Sequence, residues 1–364
     1  MRVLLVTHEA SRSGAPRVAL LLARSLVDQG HSVEVLARAP GPLLPEFAAA
    51  APTSIEFLHR VRRKLWRTWG IRGLAYAIDT LLATLTLTRR RPDLVYVNST
   101  AAAIYLRPAR WLCRRAVLHV HESGRLAASF LAAARAPQRL RGITLVACSP
   151  SVHTELLALT DQDPQNIAML PSVPDTSEVL RRSTEPPDRP YSPSDLVVGC
   201  CGTVEHRKGA DLWVTIAREV RKVLPSQPVR FVWIGEIAQP VEQDDTAGVE
   251  FVGPTANPYA HLRRFDVATL PSRDDPFPLV VLEAMLLGTP VVAFAVGGVA
   301  RQIGDASVLV PPGDVAAFAR EVVNLLTNED ARRRLGASAQ TRVAALYSAP
   351  AFAAALANLI GKLR

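Results

Sequence analysis

Short apolar runs that end in small or polar residues alternate along the chain with segments of helical period. RVLLVT at the start is a leucine and β-branched run that predicts a buried parallel strand, followed by the loop HEASRSGAP. A helix is expected from about Pro16 to Gln29, with a proline in its first turn and Gly30 as its stop. The strand signal returns in HSVEVLA, DLVYVNS, AVLHVHE and TLVACS, and again in LVVGCCG, VRFVWIG, VEFVG, DVATLPS, TPVVAF and SVLVPP. Helical segments such as ADLWVTIAREVRKVL and VAAFAREVVNLL separate the later strands. Strands and helices in alternation predict parallel sheets.

Between the two series lies STEPPDRPYSPSD, which concentrates Pro, Ser and charge without an apolar period. Asp175 to Asp195 therefore predicts an interdomain linker, its core at 181–195 and its hinge near Pro186 to Pro193. At 364 residues the chain also exceeds the size at which one core stops growing. The expected fold is α/β, two doubly wound Rossmann-like domains facing across a cleft, one at 1–180 and one at 196–349. In such sheets ligands bind beyond the carboxyl ends of the strands. The residues to inspect are thus His8 to Gly14, Asn98 to Thr100, His119 to Gly124 and Ser149, then Gly202 to Gly209, Gly235, Gly253 to Asn257 and Ser272 to Leu279.

Charge changes this picture in one half only. Residues 1–180 hold 22 Lys and Arg against 13 Asp and Glu, whereas the remainder is balanced at 20 against 20, so the net +9 lies in the first half. Its densest part, Arg60 to Arg72, interleaves Arg62, Arg63, Lys64 and Arg67 with Leu65, Trp66, Trp69 and Ile71. Three readings fit: a solvated basic helix with a buried stripe, contact with an anionic membrane surface, or contact with nucleic acid. Amphipathic basic helices suit membranes better than duplex grooves, so anionic lipid is the expected partner and nucleic acid is not. No run of eighteen apolar residues and no cleavage-site pattern is seen, so a cytoplasmic protein, peripheral on the inner face of the membrane, is expected. Cys113, Cys148, Cys200 and Cys201 have no metal-binding spacing and are expected to be reduced.

The most informative chemistry is in SRDDPFPLVVLEAMLLGTPVVAFAVGG, Ser272 to Gly298. Pro276, Phe277 and Pro278 keep Asp275 on a loop, a helix begins near Leu279, and Gly288 ends it. That helix aims its first N–H groups at whatever lies before it, which favours an anion. Glu283, one turn in, shares a face with Leu279, Val280, Leu282 and Met285 and so needs a polar partner. A ligand with phosphates and hydroxyls, such as a nucleotide sugar, satisfies both.

GTVEHRKGAD, FVGPTANP, the Asp275 to Glu283 segment, GGV and VPPGD, in this order, resemble the donor-binding half of retaining GT-B glycosyltransferases of family 4. THEASRSGAPRVALLLARSLVDQGHSVEVL resembles their acceptor-side half. The resemblance implies that Lys208 holds the donor diphosphate, that Asp275 contacts the transferred sugar and that Glu283 accepts from the ribose hydroxyls. It further implies that Gly202, Thr203, Gly253, Pro278 and the backbone of Phe277, Leu279 and Val280 complete the donor cradle. The family carries an arginine after the glycine of that strand where this chain has Thr203, and commonly a Glu where it has Asp275. Arg207 could supply the missing cation or be a surface residue.

In the first half the resemblance implies that Gly14, Ala15 and Glu122 lie on the acceptor side, and that a histidine of HVHESG touches the donor sugar. His119 and His121 share a strand face, and His121 is favoured because it lies nearer the carboxyl end. Gly14 reads equally as an ordinary helix-start glycine before Pro16. HVHES lacks the second histidine of HExxH, and the triplet Asp161-Gln162-Asp163 precedes Pro164 in a turn-like context, so no metal or other cofactor is expected. The C-terminal helix, 350–364, is expected by resemblance to pack back on the first domain. The implied activity is retaining transfer of a sugar from a nucleotide-diphosphate donor to an acceptor hydroxyl of a glycan, lipid or small molecule. The alternative is a nucleotide-sugar-binding protein with little turnover. A nicotinamide-dependent oxidoreductase is disfavoured, since no GxGxxG follows either domain's first strand.

Overall fold

A computed structural model describes residues 1–57, 72–134, 140, 142–160, 163–239 and 248–363. The basic segment from Arg60, the Asp161-Gln162 pair and their neighbours lie outside the described residues.

The apolar runs become strands of two parallel sheets. The first holds β1 (Arg2–Thr7), β2 (Ser32–Ala37), β3 (Thr53–Ile55), β4 (Leu94–Asn98), β5 (Arg115–Val120), β6 (Thr144–Ala147) and β7 (Ile167–Met169), in the order β3-β2-β1-β4-β5-β6-β7. The chain winds outward from β1 to β3, and helix Arg72–Arg90 then returns it to β4 on the other side of β1. The sheet thus reverses direction between β1 and β4. The register sets Thr7 beside Asn98 and Asn98 beside His119, so the carboxyl ends of three strands lie level.

The second sheet repeats the plan with β8 (Leu196–Cys201), β9 (Val229–Ile234), β10 (Val249–Gly253), β11 (Val267–Leu270), β12 (Val291–Phe294) and β13 (Val308–Val310), ordered β10-β9-β8-β11-β12-β13. Its reversal falls between β8 and β11, where Cys200 lies beside Thr269. The core beneath is aromatic: Trp213 stands edge-on to Trp233 at 5.2 Å, and the Trp213 indole N–H donates to Thr269 Oγ1 at 2.9 Å. Truncating Trp213, which is fully buried, would cost about 3–5 kcal/mol.

The chain divides into two compact units, Met1–Ser172 with Phe352–Arg364, and Val173–Ala351. The segment that reads as a linker is therefore part of the second unit, and the boundary falls before it. Thr176–Ser183 is a helix whose first turn is capped by Asp175, Oδ1 accepting from Glu178 N–H at 3.1 Å. Downstream, the Tyr191 hydroxyl and Asp188 grip the two ring nitrogens of buried His261 at 2.6 Å each. Arg230 binds Asp195 at 3.1 Å and stacks over Tyr191. Proline and serine density marks irregular backbone, and here that backbone is fastened by side chains the local sequence gives no hint of. The expected hinge at Pro186 to Pro193 lies within this fastened stretch. The last helix, Ala349–Lys362, groups from Phe352 onward with the first unit, where Gln29 Nε2 donates to the Ala353 carbonyl at 3.0 Å. Cys113, Cys148, Cys200 and Cys201 form no disulfide.

Candidate active site

In the second unit two loops meet at the sheet reversal. The loop after β8 makes a single 3-10 turn, His206–Lys208, and ends at Gly209, whose φ of 77° and missing Cβ are both required. A Cβ there would stand 2.0 Å from the Pro271 carbonyl oxygen on the loop after β11. Arg273 laces the loops together: its N–H donates to the Arg207 carbonyl at 2.8 Å, its Nη1 to the His206 carbonyl at 2.7 Å, and its Nη2 to Asp211 at 2.6 Å. Those hydrogen bonds from Arg273 hold the Asp211 carboxyl below the usual range. Arg207 donates to the Asp274 carbonyl at 3.0 Å and to Glu205 at 2.7 Å, on a partly exposed side chain, so it is engaged in binding the loops.

Lys208 and Asp275 come together at the centre. Nζ lies 2.5 Å from Oδ2, with the side chains only 18% and 7% exposed. The two residues assigned by resemblance to diphosphate and to sugar thus occupy each other. The backbone of Asp275 is pressed by Gly297, at φ 51°, where a Cβ would fall 1.9 Å from the Asp275 carbonyl oxygen. Gly298 N–H donates to the Pro276 carbonyl at 2.9 Å.

Helix Leu279–Leu286 follows as the prolines require, with Pro278 as its N-cap and no side-chain cap. Leu279 and Val280 carry N–H groups of the kind an α-helix leaves without an internal acceptor. Buried Gln302 donates from Nε2 to the Pro278 carbonyl at 3.0 Å, which fixes the helix entry. Glu283 is 3% exposed in the next turn, and the Phe277 ring packs against Tyr347 at 5.9 Å. Gly202 and Thr203 follow β8 directly, the Gly202 carbonyl accepting from Trp233 Nε1 at 2.8 Å. Gly253 ends β10, and its carbonyl accepts the Gly235 N–H at 2.9 Å.

The first unit gathers polar groups at its own reversal. Asn98 donates from Nδ2 to the Ala15 carbonyl at 2.8 Å, and its Oδ1 lies 2.9 Å from His121 Nε2. A carbonyl can only accept, so the amide orientation is fixed and His121 Nε2 must donate. The neutral ring then presents a lone pair on Nδ1. Burial pushes the His121 pKa down to about 4, the charge of His8 adding to the effect and Glu122 opposing it.

Glu122 is a clamp. Ser99 Oγ donates to Oε1, while the Thr100 N–H at 3.1 Å, its hydroxyl at 2.9 Å and the His121 N–H at 3.2 Å converge on Oε2. These bonds hold Ser99 at φ 107°, a backbone strain worth about 1–3 kcal/mol for a non-glycine residue. With four protein donors on its carboxylate, Glu122 ties the strand ends together. His119 is fully buried: its Nε2 donates to the Leu170 carbonyl at 3.1 Å and its Nδ1 takes the Tyr96 hydroxyl at 3.1 Å, a structural role. Ala15 enters through its carbonyl alone. Gly14 opens helix Gly14–Asp28, and a Cβ there would meet nothing within 4 Å.

Arg273 and Gly209 fall within the stretches marked from sequence, and Gly297 within the Ser272 to Gly298 segment, but the loop-fixing role of the three is not legible there. Among the described residues no three His, Cys, Asp or Glu side chains are arranged to hold a metal ion.

The sequence pattern of glycosyl transferases group 1 matches residues 195–328, and that of glycosyltransferase family 4 matches residues 12–178. The chain is 30% identical to the 2-deoxystreptamine N-acetyl-D-glucosaminyltransferase of Streptomyces fradiae, over 91% of this chain and 86% of that one. It is 26% identical to the D-inositol 3-phosphate glycosyltransferase of Stackebrandtia nassauensis, over 88% and 80%. Its fold resembles that of Anabaena HepE in complex with UDP-glucose, with a TM-score of 0.73 at 19% identity and both chains fully covered. The fold class is GT-B. The chain belongs to the family 4, group 1 glycosyltransferases, and glycosyl transfer is its activity.

Proposed function

We propose that the protein transfers a sugar from a UDP-sugar to a hydroxyl of a polyhydroxylated acceptor, with retention at the anomeric carbon and without a metal ion. The observation that carries this reading is the Lys208–Asp275 pair, 2.5 Å apart, four residues before an uncapped helix start whose second turn holds buried Glu283. A diphosphate would take the place of Asp275 at Lys208, and its oxygens would meet the N–H groups of Leu279 and Val280. The displaced Asp275 carboxylate would accept from hydroxyls of the transferred sugar, and Glu283 from the ribose. As the bond from the anomeric carbon to the diphosphate oxygen breaks, Lys208 stabilises the charge that grows on the leaving group. The acceptor oxygen bonds on the same face, and its proton passes to the departing diphosphate. Uridine is chosen because HepE was solved with UDP-glucose. A polyol acceptor is chosen because two relatives are named for acting on cyclitols, 2-deoxystreptamine and D-inositol 3-phosphate.

A thermal-shift screen against UDP, GDP, ADP and their common sugar conjugates in EDTA tests this, with Glu283→Gln in parallel. Stabilisation by the uridine compounds, weakened about tenfold or more in apparent affinity in the variant, is expected. Stabilisation by adenosine or guanosine compounds alone would replace the donor, and none by any nucleotide would sink the proposal.

A further inference from the structure

One histidine at the first sheet's reversal is not explained by the fold. His8 directly follows β1, next to the strand that ends in Asn98. Its Nδ1 is buried and has no hydrogen-bond partner among the described residues. Its Nε2 comes no nearer than 3.7 Å to Glu9 Oε1, too long for a hydrogen bond. The Glu9 carboxylate is turned to Ser11, whose hydroxyl donates to it at 2.5 Å, and the Thr7 hydroxyl donates to the Glu9 carbonyl at 2.9 Å. The loop cannot shift to satisfy the ring, because Ala10 is fixed by its N–H to the Ala39 carbonyl at 3.1 Å and its carbonyl to the Leu43 N–H at 2.9 Å. Native interiors seldom leave such an atom unpaired, and an active-site role is one of the few explanations.

We propose that His8 is a substrate-binding residue which holds a hydroxyl group of a polyol acceptor. The inference rests on the reading of the first unit as the acceptor side. The chemistry favours hydroxyls over phosphate. Burial and Arg38 disfavour charge on His8, against the pull of Glu9 and Glu122, and His121 is neutral as well. Among the described residues, Arg38 is held by Glu56, Asp79 and the Ala101 carbonyl, and Arg12 by Glu46 at 2.6 Å. A neutral imidazole supplies what a hydroxyl wants, an acceptor for its proton and a donor for its oxygen.

The test measures transfer from UDP-glucose and UDP-N-acetylglucosamine by the full chain, with water, myo-inositol or 2-deoxystreptamine as acceptor. For His8→Ala the polyol KM should rise about tenfold with a smaller change in kcat, the cost of one uncharged hydrogen bond. His8→Asn, which restores a polar atom near the Nδ1 position, should recover part of the loss, and His8→Phe, which fills the space without one, should not. A polyol KM within twofold of wild type in His8→Ala, or equal recovery by Asn and Phe, overturns the assignment. So does a wild-type protein that splits UDP-sugars yet accepts neither polyol. Failure to turn over any UDP-sugar would instead defeat the functional reading beneath it, and His8 with it.

Discussion

At the reversal of the second sheet, opposite charges are locked in pairs, Lys208 to Asp275 and Arg273 to Asp211. At the same topological position in the first sheet the rings of His8, His119 and His121 are all held toward neutrality by burial. Both places follow from one rule, that a doubly wound sheet opens a crevice where strand order reverses. The residues that fill each crevice then set its chemistry. Stored ion pairs can be exchanged for a diphosphate, whereas neutral imidazoles suit hydroxyls and repel no substrate.

The comparison is broken most directly at the ion pair. Lys208→Ala should lower kcat by about 10²–10³, the usual consequence of deleting a donor to developing charge. Asp275→Asn should act in the opposite sense on binding. With its carboxylate gone, Lys208 needs no exchange, so UDP should bind several-fold more tightly while transfer falls. Titration of each variant with UDP, beside its turnover rate, decides the matter. If Asp275→Asn binds UDP more weakly than wild type, Asp275 is not a placeholder for the diphosphate.

Acid sharpens the contrast. An imidazole kept neutral in the fold takes its proton only in the unfolded chain, so between roughly pH 6.5 and pH 4 the unfolded state binds more protons than the native one. Stability therefore falls as pH falls through that window, and the residues responsible are His121 and His119, with His8 adding to them. The carboxyls with lowered values in the second unit, Asp188, Asp195 and Asp211, act in the same sense but at lower pH. Their contribution is present above the ordinary carboxylate value and is lost only as pH drops below it. Amide hydrogen exchange at pH 7 and pH 5 should show β5 losing protection about tenfold or more while β8 changes little. Equal losses in both strands would mean that the histidines do not set the acid sensitivity.

Much of the second crevice could be read along the chain because its signals are local. Two prolines and a glycine bracket Leu279–Leu286, and apolar spacing buries Glu283. The pairing of Lys208 with Asp275 could not be read, since the residues are 67 positions apart and meet only because β11 lies beside β8. The same holds for Glu122, whose partners Ser99 and Thr100 follow a strand placed next to its own by sheet order. The ties of the linker-like segment were hidden for a related reason. Its irregular backbone was legible, but Tyr191 and Asp188 find His261 some seventy residues on. Thr203, where the resemblance leads one to expect arginine, is legible as a departure, and nearby Arg207 and Arg273 are both engaged in tying loops.

The smallest effect concerns two glycines that look alike in sequence, each near the start of a helix after a strand. Gly209 has positive φ and a carbonyl 2.0 Å from any added Cβ, so Gly209→Ala should cost about 2–4 kcal/mol through strain and forced movement. Gly14 has neither constraint, and alanine in the first turn of Gly14–Asp28 should stabilise the chain by about 0.5 kcal/mol, roughly 1–2 °C in Tm. Because the fold does not need this glycine, Gly14→Ala separates its two readings. Unchanged turnover in a slightly more stable protein makes it an ordinary helix start. A loss of tenfold or more in kcat/KM, with Tm preserved, would mean that substrate comes close enough to the backbone for one methyl group to exclude it.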